Sequence, residues 1–593
     1  MTERPIGDYA LLGDTRTAAL TSSAGSIDWM CAPAFDGDPI FGRLIGGPGA
    51  GSFAVNVEGV RASSRTYRGD TAVLETEFQT NRGTGRLVEA MAIEVAGRLL
   101  PQTVLVRKLS CDTGELAVRV FFDPKLGLPG RPPRAGRRAG GLICEWGPLA
   151  LGLQAFPDIE LVAGKEVPVR IPAGSELVLV MTIADRSPAI LVDRDTARDL
   201  LDETFGWWQK WSADIDYDGP YRDAVIRSFL TLQLLTFSPS GAPVAAPTTS
   251  LPEEIGGSRN WDYRYSWPRD ASIGLAAFLD VGKPELAHSY MHWLHHGSRL
   301  SRPRLNVLYT LFGKPPPEEE ELAGVPGYRA SRPVRTGNDA RVQHQLDVYG
   351  WVVDAAWLLT RAGLRLHGET WRAVKGMADF VADHWEEPDS GIWEVRGEPR
   401  HYVHSKMMAW LCLDRASRIA DARGIQSRRV REWDQQRDRI RSAVLERGFE
   451  KSRSSYVRSY GSDELDAALL ILPVLQFEDD PDSVQGTIAA IRQDLEIEPG
   501  LLWRYPRAAD GLTGGEGAFF PCSFWLVQAL AHTGRQAEAS ELLESLLTKA
   551  NDVGLLSEEI DPESGEMLGN FPQAFTHATL IQAALSLQGK DGD

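Results

Sequence analysis

The sequence of 593 residues has no run of roughly 18 uninterrupted apolar residues, so no membrane-spanning helix and no membrane partner are expected. Its opening, MTERPIGDYALLGD, lacks a basic stretch followed by an apolar one, which predicts a cytoplasmic protein without a secretory leader. Excess positive charge is missing too. With 63 basic against 81 acidic residues the net charge is -18, which offers no stripe for a phosphate backbone and argues against nucleic acid as a partner. Cysteine is scarce: Cys31, Cys111, Cys144, Cys412 and Cys522 are odd in number and scattered, so buried free thiols are expected. His401 and His404 lie three apart, but no third ligand has suitable spacing, and neither a metal nor a cofactor is expected. No internal repeat is evident.

What is present is bulk and pattern. A chain of this length exceeds one hydrophobic core, so two or more domains are expected. Up to about residue 190, short runs alternate apolar and polar residues between Gly, Asn and Asp turns, the mark of half-buried strands. Leu74, Thr76 and Phe78 alternate with Glu75 and Glu77, and Asn81-Arg82-Gly83 then turns the chain into Leu87, Val88 and Met91, which predicts a hairpin. Similar runs at 104–109, 116–122 and 177–183, without long helices, predict an antiparallel β-sandwich over residues 1–195, with 128–141 as an exposed loop.

The period then changes. Residues 196–219 read as a helical linker whose Phe205, Trp207, Trp208 and Trp211 can pack between domains. Beyond Pro220, residues such as Val348, Trp351, Val352, Ala355 and Leu359 recur at helical spacing, and Ser462-Asp463-Glu464 reads as a capped helix start. Roughly eleven or twelve such segments fit an (α/α)6 barrel over 220–593. The long connections 243–269, 303–338, 389–401, 498–516 and 551–571 hold the segments that look chemical, as loops on a rigid scaffold commonly do.

Glycoside hydrolysis commonly uses two carboxyl groups, one protonated to assist the leaving oxygen and one ionised to activate water or to attack the sugar. Among 81 acidic residues, context must select them. Glu394 stands beside Trp393 in a Gly- and Pro-rich loop, where an aromatic neighbour can desolvate a carboxyl and raise its pKa. Glu558 and Glu559 stand together in another loop, and adjacent carboxylates there are read equally as a site or as a solvated acidic turn. A third loop, NWDYRYSWPRDAS, crowds Trp261, Tyr263, Tyr265 and Trp267 against Arg269 and Asp270, a set suited to stacking a sugar and binding its hydroxyls.

Six segments together resemble bacterial members of glycoside hydrolase family 15: DYALLGDTRTAALTSSAGSIDWMCAPAFD, NWDYRYSWPRDAS, GNDARVQHQLDVYGW, GIWEVRGEPRHYVHSKMMAW, EGAFFPCSFWLVQAL and SEEIDPESGEMLGNFPQAFTHA. The resemblance spans nearly the whole chain. It implies an N-terminal sandwich joined to an (α/α)6 barrel and an inverting, exo-acting α-glucoside hydrolase, with Glu394 as general acid and Glu558 as general base. It further implies that Tyr263, Trp267, Arg269, Asp270, Trp393, Arg504 and Glu559 meet the substrate. His401 and Lys406 are candidates to approach the same pocket. Two departures from the fungal pattern stand out, Val395 where those members carry a second Glu, and an apparent insertion over 507–514 between Arg504 and Glu516. Within the family a chain without a leader favours α,α-trehalase, with malto- or isomaltooligosaccharide hydrolysis as the alternative. The expected partner is a small carbohydrate, and a homo-oligomer is left open.

Overall fold

The computed structural model describes residues 3–588 apart from 96–97, 100–101, 139, 479, 508–511 and 513. The N-terminal region is a fourteen-stranded antiparallel system in two layers that share one long strand, Thr103–Asp123. The first half of that strand pairs with Gly83–Met91 and Glu176–Asp185, while its second half pairs with Ser52–Val57 and Glu166–Pro172. Alternation along the strands decides what each face buries. Leu105, Leu109, Leu177, Leu179 and Met181 enter the main core, whereas Val104, Val106, Val178 and Val180 emerge on the other face.

That second face is covered by the helix Arg194–Ala213, which starts on the Asp193 side chain accepting from the Thr196 amide and buries Ala197, Leu200 and Leu201 against the valines. Its far end buries Trp208 in the main core, with Trp207 and Trp211 packed beside it.

Twelve helical segments follow among the described residues. Six form an inner ring: Pro268–Asp280, Asp347–Arg361, Val403–Ala422, a 3-10 turn Ala467–Ile471 running into Leu472–Leu475, Phe520–His532 and Ala574–Ser586. Each packs on the next, and the last closes on the first. The outer six are Arg222–Leu234, Pro284–Gly297, Gly368–His384, Arg428–Arg447, Pro481–Leu495 and Gln536–Leu547. Composition explains the sorting. Phe520–His532 is buried on nearly every side, whereas Arg428–Arg447 buries a single stripe of Val430, Trp433, Ile440 and Val444.

Two local expectations are corrected. Residues 128–141 are not simply a loop: Arg134–Arg138 pairs with Gly141–Trp146, and side-chain charge does not prevent an exposed edge strand from forming. Ser462 does not begin a helix. Its hydroxyl accepts from the Glu464 amide in a turn, and the true N-cap is Asp466, whose carboxylate accepts from the Ala468 amide at 2.9 Å. All five cysteines are free and buried, as expected.

The N-terminal layers are fastened to one end of the barrel. Trp29 Nε1 donates to the Pro247 carbonyl at 2.8 Å, and Arg65 is paired in a fork with Asp552. Arg264 forks onto Asp262 and also reaches the Gly37 carbonyl at 2.8 Å. Trp29 and the Gly37 carbonyl therefore pack the N-terminal layers on the barrel loops, and through Arg264 they brace the loop that carries Tyr263 and Trp267.

Candidate active site

Every inner helix is entered from a loop at the same barrel end, and residues from those loops line a common pocket. Of the residues singled out from sequence, Tyr263, Trp267, Arg269, Asp270, Trp393, Glu394, Arg504 and Glu558 all line it.

Glu394 lies in the turn before Val403–Ala422 with φ of +56°, a left-handed conformation that costs a non-glycine residue roughly 1–2 kcal/mol. The turn is held by Gln343 Nε2 donating to the Glu394 carbonyl at 3.1 Å and by Trp267 Nε1 donating to Glu394 Oε1 at 2.6 Å. Arg269 Nη1 stands 3.7 Å from the same oxygen. Burial raises the Glu394 pKa, against the pull of Arg269 and of the Trp267 hydrogen bond.

Glu558 faces the other member of the same aromatic pair. The Tyr263 hydroxyl donates to Glu558 Oε1 at 2.8 Å, and the Tyr263 and Trp267 rings meet edge to face with centroids 5.4 Å apart. Burial and the Glu253 carboxylate push the Glu558 carboxyl up to about 8, opposed by Arg504, the Tyr263 hydroxyl and the Asn570 amide. Gly569 adjoins it closely: at φ of +71°, an added Cβ would stand 2.6 Å from Glu558 Cβ and 2.5 Å from Oε2. Gly569→Ala is therefore expected to leave the protein folded but displace this carboxyl, lowering kcat by about 10²-fold. Steady-state kinetics beside a melting curve provide the check, and turnover within twofold of wild type would remove Glu558 placement from the role given to Gly569.

Glu559 turns away from the pocket wall. Glu558 stands at a bend before the extended segment Glu559–Ile560 and lines the pocket, whereas Glu559 is not on the lining. Its Oε2 accepts from the Gly517 amide at 2.7 Å, in a buried cluster with Glu253, Glu516, Arg259 and Arg504. Oxygens of Glu253, Glu516 and Glu559 lie within 4.8 Å of one another, the spacing of a cation site. The cation there is a guanidinium: Arg504 Nη2 is 2.9 Å from Glu253, 2.5 Å from Glu516 and 3.3 Å from Glu559. Burial, with Glu253 next, holds the Glu559 carboxyl well above the usual range, against the pull of Arg504.

On the pocket floor Arg269 Nε donates to Asp270 Oδ1 at 2.7 Å and Nη1 to the Ile392 carbonyl at 2.7 Å. Trp393 is fixed by Nε1 donating to Asp466 Oδ1 at 2.8 Å and meets Phe519 edge to face. Tyr265, expected as an aromatic wall, instead packs with Val307, Leu308 and Ala340 behind the site. Lys406 is also elsewhere, donating to the carbonyls of Trp385 and Glu387, and His401 stacks on Tyr460. Sequence reasoning did not single out Glu253, Arg259, Asn338, Arg396 or Phe575, all on the pocket lining. Asn338, Arg396 and Phe575 lay within quoted motifs without being picked out of them, while Glu253 and Arg259 fell in the long connection 243–269 outside any motif. The suspected insertion falls partly at 508–511 and 513, outside the described residues, while Leu512 lines the pocket.

Comparison with known proteins places this geometry in context. The model described as "Glycosyl hydrolases family 15" matches residues 219–585, and that described as "Trehalase-like, N-terminal" matches residues 2–143. The chain is 36% identical to a trehalase of Mycolicibacterium smegmatis, with 98% of this chain and 91% of that protein covered. It is 34% identical to a trehalase of Thermoplasma volcanium, covering 98% and 93%, and 31% identical to trehalase 1 of Sulfolobus acidocaldarius, covering 99% of each. In fold it is similar to a bacterial glucoamylase solved with acarbose, at a TM-score of 0.70 and 13% identity over 99% of this chain and 94% of that one. Among the described residues no helix is long and apolar enough to cross a membrane.

Proposed function

The chain belongs to glycosyl hydrolases family 15, and from that membership we propose an inverting α,α-trehalase in which Glu394 is the general acid and Glu558 the general base. The observation that carries the reading is the pair of buried carboxyls on one pocket, each hydrogen-bonded to a different ring of the Tyr263–Trp267 pair. Trehalose is favoured because similarity to trehalases runs along almost the whole chain, sandwich included.

Position supports these roles. The Glu394 side chain retains 21% exposure, toward the mouth where a leaving group departs, whereas Glu558 is 1% exposed. Glu394 donates its proton to the glycosidic oxygen as the bond from that oxygen to the anomeric carbon breaks. Glu558 takes a proton from the water whose oxygen forms the new bond on the opposite face. For this Glu558 must start ionised. Two donors, the Tyr263 hydroxyl at 2.8 Å and the Asn570 amide at 3.4 Å, favour its anion, against the burial and the Glu253 carboxylate that push this carboxyl up, so turnover should rise with pH as Glu558 ionises. Arg269 and Asp270 bind hydroxyls of the glucose being cut, with Trp267 and Trp393 beside it.

Single-displacement attack inverts the anomeric centre. Trehalose should therefore yield one β-glucose from the attacked ring and one α-glucose from the departing ring, in equal amounts before mutarotation. Proton NMR in the first minutes reads the ratio, and early product that is purely α would sink the inverting roles. Glucose release from trehalose, maltose, isomaltose and soluble starch, assayed side by side, tests the substrate.

A further inference from the structure

In a pocket that cuts from a chain end, the sugar to be cut lies on the floor and the leaving group lies toward the mouth. Arg269 and Asp270 form the buried floor here. Two further lining residues stand toward solvent: Trp261, half-buried, and Arg396, whose side chain is 28% exposed. Arg396 follows Glu394 by two residues on the same loop, so the acid that protonates the departing oxygen and this guanidinium belong to one rigid segment.

The side chains are built into a fixed arrangement. The guanidinium carbons of Arg335 and Arg396 lie 4.6 Å and 4.7 Å from the centroid of the Trp261 ring. Glu319 ties both arginines, with Oε1 3.2 Å from Arg335 Nε and Oε2 accepting from Arg396 Nη2 at 2.7 Å. The Trp261 indole is held in turn by Nε1 donating to Glu253 Oε1 at 3.1 Å, and Arg335 Nη1 donates to the carbonyls of Ser258 and Asn260. A planar fork pinned over an aromatic face loses little entropy when it binds, which suits it to the hydroxyls of a neutral sugar.

We propose that Trp261 and Arg396, locked by Glu319 and Arg335, form the wall that recognises the leaving glucose of the disaccharide. This rests on the trehalase reading and adds the residues that select its second ring. Arg396 contacts substrate in this account, and Glu319 is a positioning residue that acts through it.

The test separates the leaving sugar from the cut one. In full-length enzyme, Arg396→Met and Glu319→Gln are compared with wild type on trehalose and on α-D-glucosyl fluoride, whose leaving group fills no sugar site. Arg396→Met should lower kcat/KM for trehalose by about 10-fold or more, the scale of a lost charged hydrogen bond, mostly through KM. Its kcat/KM for the fluoride should stay within about twofold, the loss being confined to the missing hydrogen bond. Glu319→Gln should show the same contrast at smaller size. Equal losses on both substrates would make Arg396 a support for Glu394 and overturn the proposal, as would no loss on trehalose. A wild type that releases fluoride yet leaves trehalose intact fails the substrate reading instead, a result distinct from either variant outcome.

Discussion

Glu558→Gln is expected to lower kcat on trehalose by about 10²- to 10⁴-fold, the range for loss of a positioned general base, while affinity for the sugar changes little. Glutamine keeps the shape of the side chain and an oxygen that can accept from the Tyr263 hydroxyl, so the wall should persist. It cannot take a proton from water. The floor contacts of Arg269 and Asp270 are untouched, and calorimetry should therefore still register binding while turnover collapses. A variant that keeps more than about a tenth of wild-type turnover would mean that another group activates the water.

Loss of Arg504 should be felt first as instability. Its Nη2 serves Glu253, Glu516 and Glu559 at once, all buried. Arg504→Met leaves Arg259 alone to balance the carboxylates, and breaking a buried ion network in this way costs on the order of 3–5 kcal/mol. The sign of its pH dependence follows from linkage. Without Arg504 the carboxyls of Glu253 and Glu559, already raised by burial, must bind protons to remain folded, so their folded pKa values rise further above those of the unfolded chain. The folded state then holds more protons, and stability falls as pH rises through that window. Urea unfolding at pH 5 and pH 8 should show a larger loss relative to wild type at pH 8. An equal loss at both values would place the cost in packing and leave the charge account unsupported.

The cluster also marks where reading the chain reached its limit. Arg504 and Glu559 were expected at the substrate from their resemblance to family residues; Arg504 does line the pocket while three carboxylates engage it, whereas Glu559 lies off that lining. The place of Glu559 follows only from the pairing of Glu559–Ile560 with Ala518–Phe519, which the chain does not announce. Glu253 and Glu516 lie 263 positions apart in the chain, and the fold alone makes them neighbours. Tyr265 shows the same limit from the other side. It shares a segment with Tyr263 and Trp267 and looks equally fit to stack a sugar, but it is buried beside Trp267 against Val307, Leu308 and Ala340 and does not reach the pocket lining. The misplaced cap is smaller in scale. Ser462 and Asp466 both offer side-chain oxygens, and the helix begins at the one where the following residues, Ala467 to Leu472, can be buried.

What the sequence by itself determined is whatever depends on period and local chemistry. Alternation produced the two-layer sandwich, and the contrast between all-apolar and one-striped helices sorted an inner ring from an outer one. The Trp-Glu and Ser-Glu loops, read through their family resemblance, marked the two carboxyls. What only the tertiary structure decided is which partner each charge meets. A carboxyl becomes acid, base or structural ion according to burial and to neighbours brought from loops hundreds of residues away, and those distances are set by closure of the helical ring.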